Sequence, residues 1–411
     1  MKKKAIISAI VIVSLLTGCF GIKGNDDTTD KTEITTEEKI DVIEPEYLDD
    51  VTLDGLTNDI VKNMTLKQKL GQMFMVNLDL LDHSKGNGYG HKTLSHKMKK
   101  SIHNYQIGGV VFFSKNLKKE KQTKKFIKQL QKSASIPMFI SVDEEGGSVA
   151  RLGAIPAMNV TKFDDMNKIG ATEDITKAKE VGDVLGKELY HLGFNMNFAP
   201  VADVYSNPKS GMKERCFSAD KEVVADMVTE EVIAMQNHNI SATLKHFPGI
   251  GGSAGDTHLE KTYCTKTIKQ LREKDFVPFQ AGIAAGVDCV MISHVVLNKV
   301  QNKEEPSSVS ELVVNDILRD ELGFTGVVIT DAFNMKAITN EYGSDEAAVA
   351  AVQAGVDIVL MPENLQKAYK GLRRAVKKGV ISEKRIEQSV KRIIRTKLSR
   401  GVISLDSVLI K

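Results

Sequence analysis

The sequence predicts a (β/α)8 barrel of the TIM type, folded as a single domain. Eight short apolar runs of strand length recur along the 411 residues, separated by stretches of helical periodicity. Most runs are continuous rather than alternating, as in strands buried on both faces of a parallel sheet. They cover residues 73–77, 109–113, 138–143, 195–199, 242–246, 289–294, 327–331 and 358–361. The helical stretches cover 121–133, 175–192, 221–238, 268–286, 310–322 and 346–355.

The body is expected to open with a helix. Thr65 and Gln68 fit an N-cap and its capping-box partner, with Leu66, Leu70, Met73 and Phe74 on one face. The tail, 363–411, holds two more helical stretches. An open doubly wound sheet is the competing arrangement. No G-x-G-x-x-G at a first strand–helix turn and no P-loop supports a nucleotide-binding version.

Composition excludes a disordered chain, a collagen-like fibre and a multi-span membrane protein: 42% of residues are hydrophobic, 27% charged, and Trp is absent. Net charge is +3 but uneven. Residues 25–50 carry eleven acids against two lysines, and residues 51–411 sum to +8. No dense Lys/Arg stripe with interleaved aromatics is seen, so no nucleic-acid partner is expected. A basic body would suit an anionic polymer such as a cell wall, although lysines ordinarily form a solvated face.

The N-terminus has Lys2, Lys3 and Lys4, then an apolar run over 5–16, the layout of a secretory signal. The run ends Leu16-Thr17-Gly18-Cys19, which resembles a bacterial lipoprotein lipobox. That resemblance implies cleavage before Cys19 and lipidation of its thiol. The expected organisation is a signal peptide over 1–18, an acidic disordered spacer over 19–50, and the barrel domain over 51–411. The protein is then exported and held to the cell membrane by its lipid, facing the wall or the exterior. A plain signal or an uncleaved anchor is the other reading. Of Cys216, Cys264 and Cys289, the last lies in an apolar run, which leaves a Cys216–Cys264 bridge open.

In a barrel the catalytic groups sit at the C-terminal ends of the strands. Here those ends are polar. The third reaches Asp143-Glu144-Glu145-Gly146-Gly147 and Arg151, the fourth Asp203, the fifth Lys245-His246, the sixth His294 and the seventh Asp331. Charged groups capping apolar strands cost desolvation energy unless they bind something. After the fifth strand comes a Gly-rich loop, 249–258, expected to be conformationally free, which carries Asp256-Thr257-His258. An Asp beside a His can fix its tautomer and support the imidazolium, making this pair the leading acid/base candidate. His246, His294 and Asp331 could instead ligate zinc, but the first strand lacks the His-x-His pair usual in such barrels. No metal and no cofactor is expected.

These blocks together resemble glycoside hydrolase family 3, in its bacterial β-N-acetylglucosaminidase branch. They are Val142-Asp143-Glu144-Glu145-Gly146-Gly147 with Arg151; Asn197-Phe198-Ala199-Pro200-Val201-Ala202-Asp203-Val204; Lys245-His246-Phe247-Pro248-Gly249 through His258; and Val328-Ile329-Thr330-Asp331 with Met335. The resemblance implies retaining hydrolysis of terminal GlcNAc from cell-wall fragments or chitin-type oligosaccharides. Asp331 matches the nucleophile, His258 the acid/base and Asp256 its partner. Asp143, Arg151, Arg215, Lys245, His246 and Met335 match substrate-binding positions. A carbohydrate is the expected substrate, and no protein partner is expected.

This sequence departs from the family's pattern in places. Ile250 stands where His is frequent, Gly252 where Asp is, Leu259-Glu260-Lys261 where Leu-Pro follows the dyad, and Cys216 where Ser is common. A phosphorylase or β-glucosidase on the same scaffold, or a carbohydrate-binding lipoprotein without catalysis, are the alternatives.

Overall fold

The computed structural model describes residues 49–86, 88–255 and 259–404. Cys19, the 1–18 segment and nearly all of 19–50 lie outside the described residues, as do Asp256, Thr257 and His258.

The capping box forms as expected: Thr65 accepts from the Gln68 N–H, and Gln68 Oε1 accepts from the Thr65 N–H at 2.8 Å. The helix it starts, Leu66–Gln72, ends before Met73. Met73 and Phe74 leave the helix because Phe74 enters a strand ladder, paired in register with Val359. A helix not expected from the sequence, Asp50–Asn63, precedes it. Asp49 caps it, Leu53, Thr57 and Val61 form its buried stripe, and Arg395 reaches Asp54 at 2.8 Å from the C-terminal helix Glu383–Ser399.

Eight parallel strands follow: β1 (Phe74–Asn77), β2 (Gly109–Phe112), β3 (Phe139–Val142), β4 (Met196–Asn197), β5 (Thr243–Phe247), β6 (Cys289–Ile292), β7 (Val327–Thr330) and β8 (Val359–Leu360). Each lies within or within one residue of its apolar run. They form two sheets, β8-β1-β2-β3-β4 and β5-β6-β7. Single parallel bridges, Met196 to Ser241 and Ile329 to Ile358, stand where the two sheets meet. The fold is therefore TIM-barrel-like α/β, with the expected eight-strand ladder divided in two. The two-residue strands β4 and β8 lie at the divisions. Pro200, which has no N–H to donate, soon follows β4, and Met361 with positive φ and then Pro362 follow β8. β2, β3, β6 and β7 are buried at every position, which explains their continuous apolar runs.

The run 268–286 is broken rather than one helix: Ile268–Gln270 leads into a π-helical turn, Leu271–Asp275, and then Phe276–Ala284. Pro278 has no N–H for the carbonyl four residues back, so the regular ladder cannot run through it. Cys216, Cys264 and Cys289 are free and buried, so the Cys216–Cys264 bridge does not form. Cys216 packs in its own apolar cluster with Val201 and Met212, whereas Cys264 belongs to the main core.

The floor of the fold is closed by a buried cation. Lys397 Nζ donates to Gln72 Oε1 at 2.6 Å, Pro137 O at 2.7 Å and Gly108 O at 2.9 Å, and sits over the Phe139 ring. Burial pushes its pKa well down. Three acceptors nevertheless match the three N–H bonds of the charged form. Lys397→Met should lower the unfolding free energy by about 3 kcal/mol, because those oxygens lose their donor. Urea unfolding checks this, and a loss below about 1 kcal/mol would mean that the oxygens are served in another way.

Candidate active site

Five neighbouring strand ends, β3 to β7, supply the polar groups. Beyond β3 the chain stays extended through a short antiparallel pair, Glu144–Gly146 with Val149–Ala150. Extended backbone sends alternate side chains to opposite faces. Asp143 and Glu145 accordingly meet one cluster, while Glu144 turns away from it.

The cluster is built on Lys245, which is almost fully buried. Its Nζ donates to Asp143 Oδ1 at 2.8 Å and also pairs with Glu145. Arg215 grips Glu145 with two bonds, Nε to Oε2 at 2.8 Å and Nη2 to Oε1 at 2.7 Å. Burial alone would raise the Glu145 pKa, but the charges of Lys245 and then Arg215 outweigh it and hold the carboxyl at about 2. Glu145 was part of a sequence block but not of the expected site list. The two-residue spacing from Asp143 was the signal that would have placed it there.

On the other face, Glu144 accepts from the N–H of Leu152 at 2.7 Å and of Gly153 at 2.9 Å. It thereby holds the turn that carries Arg151. Burial pushes its carboxyl up to about 7 against those two bonds. Arg151 Nη2 lies 3.9 Å from Asp143, its guanidinium stacks over Phe113 at 5.9 Å, and its Nε is buried without a partner among the described residues. A donor held dry in this way suits a substrate oxygen.

His246 joins the cluster through Arg215 Nη2, 3.4 Å from its Nε2. Asp203, fully buried after β4, holds it by accepting from its backbone N–H at 3.1 Å and its Nδ1 at 2.7 Å. The other Asp203 oxygen accepts from the Ile250 N–H at 2.6 Å. Asp203 stands at a strand end in the sequence, and only the fold shows that it fixes His246 and the start of the following loop.

Four glycines between 249 and 258 predict a free loop after β5, but its first half is pinned. Gly251 O accepts from the N–H groups of Ser206 at 3.0 Å and Asn207 at 3.2 Å. A Cβ on Gly251 would stand 2.3 Å from Val204 O, so glycine here serves close approach rather than freedom. A Cβ on Gly252 would stand 2.8 Å from Lys266 Nζ, which pairs with buried Asp275 at 2.7 Å.

Asp331 follows β7, partly buried, with its N–H on Ile292 O at 2.8 Å and its Oδ1 accepting from the Ala332 N–H at 2.7 Å. His294, from β6, braces this turn: its Nε2 contacts Ala332 O at 3.1 Å and its Nδ1 contacts Ser308 Oγ at 2.8 Å. A backbone carbonyl can only accept, so Nε2 carries the proton. His294 thus acts as a support here, and among the described residues no group of three or more His, Cys, Asp and Glu is placed to hold a metal ion. Met335 is buried and caps the short helix Lys336–Thr339. Beside Arg151 a cleft of about 550 Å³ opens between the ends of β1, β2 and β8, lined in part by Asp79, Phe113, Asn334 and Met361. That volume is in the range of small-molecule sites.

Behind the cluster, Glu231 is buried on helix Lys221–Gln236, with neither carboxyl oxygen partnered among the described residues. Burial, then the nearby Glu145 charge, pushes it up to about 8 from an ordinary 4.5. Between those values the folded chain binds a proton that the unfolded chain releases, so stability falls as pH rises. Relative to Glu231→Gln, the natural protein should lose up to ~4 kcal/mol between about pH 5 and pH 8. Urea unfolding across that range reads the difference, and parallel pH profiles would refute it. Glu145→Ala should cost ~4 kcal/mol at neutral pH, because two buried cations lose their anion. An unchanged urea midpoint would contradict that.

Comparison with known proteins places these groups in a family. The family described as "Glycosyl hydrolase family 3 N terminal domain" matches residues 65–396. Beta-hexosaminidase A of Pseudoalteromonas piscicida is 30% identical over 378 residues, covering 83% of this chain and 63% of that protein. A beta-hexosaminidase of Stenotrophomonas maltophilia (strain K279a) is 35% identical over 267 residues, 64% of this chain and 78% of its own length. Among solved structures, a glycoside hydrolase family 3 beta-N-acetylglucosaminidase from Paenibacillus sp. str. FPU-7 superposes with a TM-score of 0.76 at 37% identity, covering 82% of this chain and 63% of that one. The chain therefore spans just under two thirds of the length of two of these relatives. A match running from the capping box of the first helix before β1 into the C-terminal helix takes in every strand end described above, and the chain belongs to glycosyl hydrolase family 3.

Proposed function

We propose that this protein is an exported, lipid-anchored, retaining exo-β-N-acetylglucosaminidase that removes terminal GlcNAc from cell-wall fragments or chitin-type oligosaccharides. The observation that carries the reading is the charge cluster of Asp143, Glu145, Lys245 and Arg215 in the same row of strand ends as Asp331. Asp143 accepts sugar hydroxyls, while Arg151, Arg215, Lys245 and His246 donate to ring substituents and the N-acetyl group. The eight strands serve as a (β/α)8 barrel whose mouth holds these groups rigid.

In the proposed reaction, an Asp331 carboxylate oxygen attacks the anomeric carbon as the glycosidic C–O bond breaks. His258, held by Asp256, gives its proton to the leaving oxygen. Water then attacks the glycosyl ester, His258 takes its proton, and Asp331 is released as carboxylate. Names of relatives at 30% and 35% identity support the hexosaminidase assignment. The lipobox-like Leu16-Thr17-Gly18-Cys19 supports the anchor.

Release of nitrophenol from p-nitrophenyl β-GlcNAc should exceed release from the β-glucoside and β-xyloside. Preference for the glucoside would keep Asp331 and overturn the substrate. Sugar 1-phosphate appearing on addition of phosphate would make the enzyme a phosphorylase. Asp331→Ala should lower turnover roughly a thousandfold or more, with the fold retained by circular dichroism. Wild-type rates in that variant would sink the mechanism. Cys19→Ala should move the protein from the membrane to the soluble fraction, and no movement would refute the anchor.

A further inference from the structure

The positive charge of the body is concentrated in two stretches of the sequence. Residues 92–133 hold twelve lysines, no arginine and a single acid, Glu120, a net +11. Residues 364–400 are as basic, with thirteen Lys and Arg against two acids, but Arg385, Arg392, Arg395, Lys397 and Arg400 there are spent on Asp357, Asp54, Asp288 and main-chain oxygens.

Eight of the twelve lysines of 92–133 lie on two helices. Helix Glu120–Ser133 buries Thr123, Phe126, Ile127 and Leu130. Its outer face presents Lys121, Lys125, Lys128 and Lys132, all exposed, at i, i+4, i+7 and i+11. At 1.5 Å per residue these ammonium groups follow one line of about 16 Å, spaced roughly 5 Å apart. Glu120 does not neutralise them, since it is taken by His191 at 3.1 Å and Lys124 at 3.5 Å. Beside the stripe runs a shallow groove of about 490 Å³, with Lys99 and His103 of helix His96–Tyr105 on one wall and Gln129 and Lys132 on the other. The stripe begins just after the β2 end, next to the mouth where Lys115 lines the cleft, and descends the side of the barrel.

Three features select the occupant. A line of charges with a groove beside it admits a strand, whereas a flat bilayer cannot enter a groove. Among the described residues, no exposed large hydrophobic side chain falls within 92–133, so nothing there inserts into a membrane. Nor is an aromatic platform offered for bases: Tyr105 is spent on Tyr369, Phe113 carries the Arg151 guanidinium, and Phe112 and Phe126 are buried. Lysine ammoniums are point charges suited to single phosphodiester oxygens, and arginine, which would grip a carboxylate or a terminal phosphate in two bonds, is missing.

We propose that this face is a docking surface for a linear phosphodiester polymer without bases, a polyol-phosphate chain lying along residues 121–132 with the neighbouring groove taking its backbone. It would hold the enzyme on an anionic polymer with the site mouth at one end of the track. The proposal goes beyond the glycosidase reading and does not depend on it.

Binding of fluorescently labelled poly(glycerol phosphate) to the full chain, read by anisotropy from about 50 to about 200 mM salt, tests it. The variant Lys125→Glu, Lys128→Glu, Lys132→Glu should bind at least ~10-fold more weakly, with a shallower salt dependence. A matched variant on another helix, Lys367→Glu, Lys370→Glu, Lys377→Glu, should stay within about twofold of the natural protein. Both should keep their melting temperatures and their turnover of a small aryl glycoside. Equal losses in the two variants would reduce the effect to bulk charge and overturn the proposal. So would no binding at the lowest salt, or tighter binding to single-stranded DNA or to vesicles containing phosphatidylglycerol than to the polymer.

Discussion

The ion cluster of Glu145, Lys245 and Arg215 sets the terms on which the mouth of this fold is built. Removing one such charge from water costs several kcal/mol even after relaxation, so none of the three can be buried alone. Together they satisfy one another: the lysine bridges Glu145 and Asp143, and the arginine takes Glu145 in two bonds. Two cations then face two carboxylates. The β3 end, the β5 end and the segment carrying Arg215 are tied to one point, although no two of them are close in sequence.

The remaining polar groups at the mouth are arranged around that point. Asp203 fixes His246 and, through Ile250, the base of the loop after β5. Glu144 fixes the turn of Arg151. Asn197 at the end of β4 locks the Glu144 backbone from both sides, donating to its carbonyl at 2.8 Å and accepting from its N–H at 3.0 Å. Arg215, Lys245 and His246 are each backed by a buried carboxylate that takes up part of their bonding. This is how a polar site keeps its geometry before substrate arrives.

The opposite end of the fold uses the same physics for stability. Asp357, buried between β7 and β8, is met by Arg319 at 2.6 Å and Arg392 at 3.2 Å, and Ser389 also donates to it. Arg400 pairs with Asp288 below β6, and Lys397 serves the oxygens beneath β1, β2 and β3. Most of these partners come from the last helix. That helix therefore acts as a polar base plate, while the mouth is left to chemistry.

Much was legible in the sequence, because it rested on local rules. Short apolar runs, most of them continuous, marked all eight strands, since a strand buried on both faces has no polar side to alternate. The capping box at Thr65 and the helix 175–192 followed from short-range patterning. So did the polar strand ends that named Asp143, Lys245, His246 and Asp331. Tertiary contact decided the rest. Glu145 looked like one more acid in a turn until a lysine a hundred residues away met it. The Gly-rich loop read as free, yet its glycines let two backbones touch. Three cysteines left a bridge open, and the packing of Cys216 and Cys264 in separate apolar clusters closed the question. Even the lysines, spread thinly by count, became a stripe only when helical periodicity and a neighbouring helix put them on one face. Sequence records which groups are present and how they repeat. Only the fold determines which distant charges must share a space too dry to hold any of them alone.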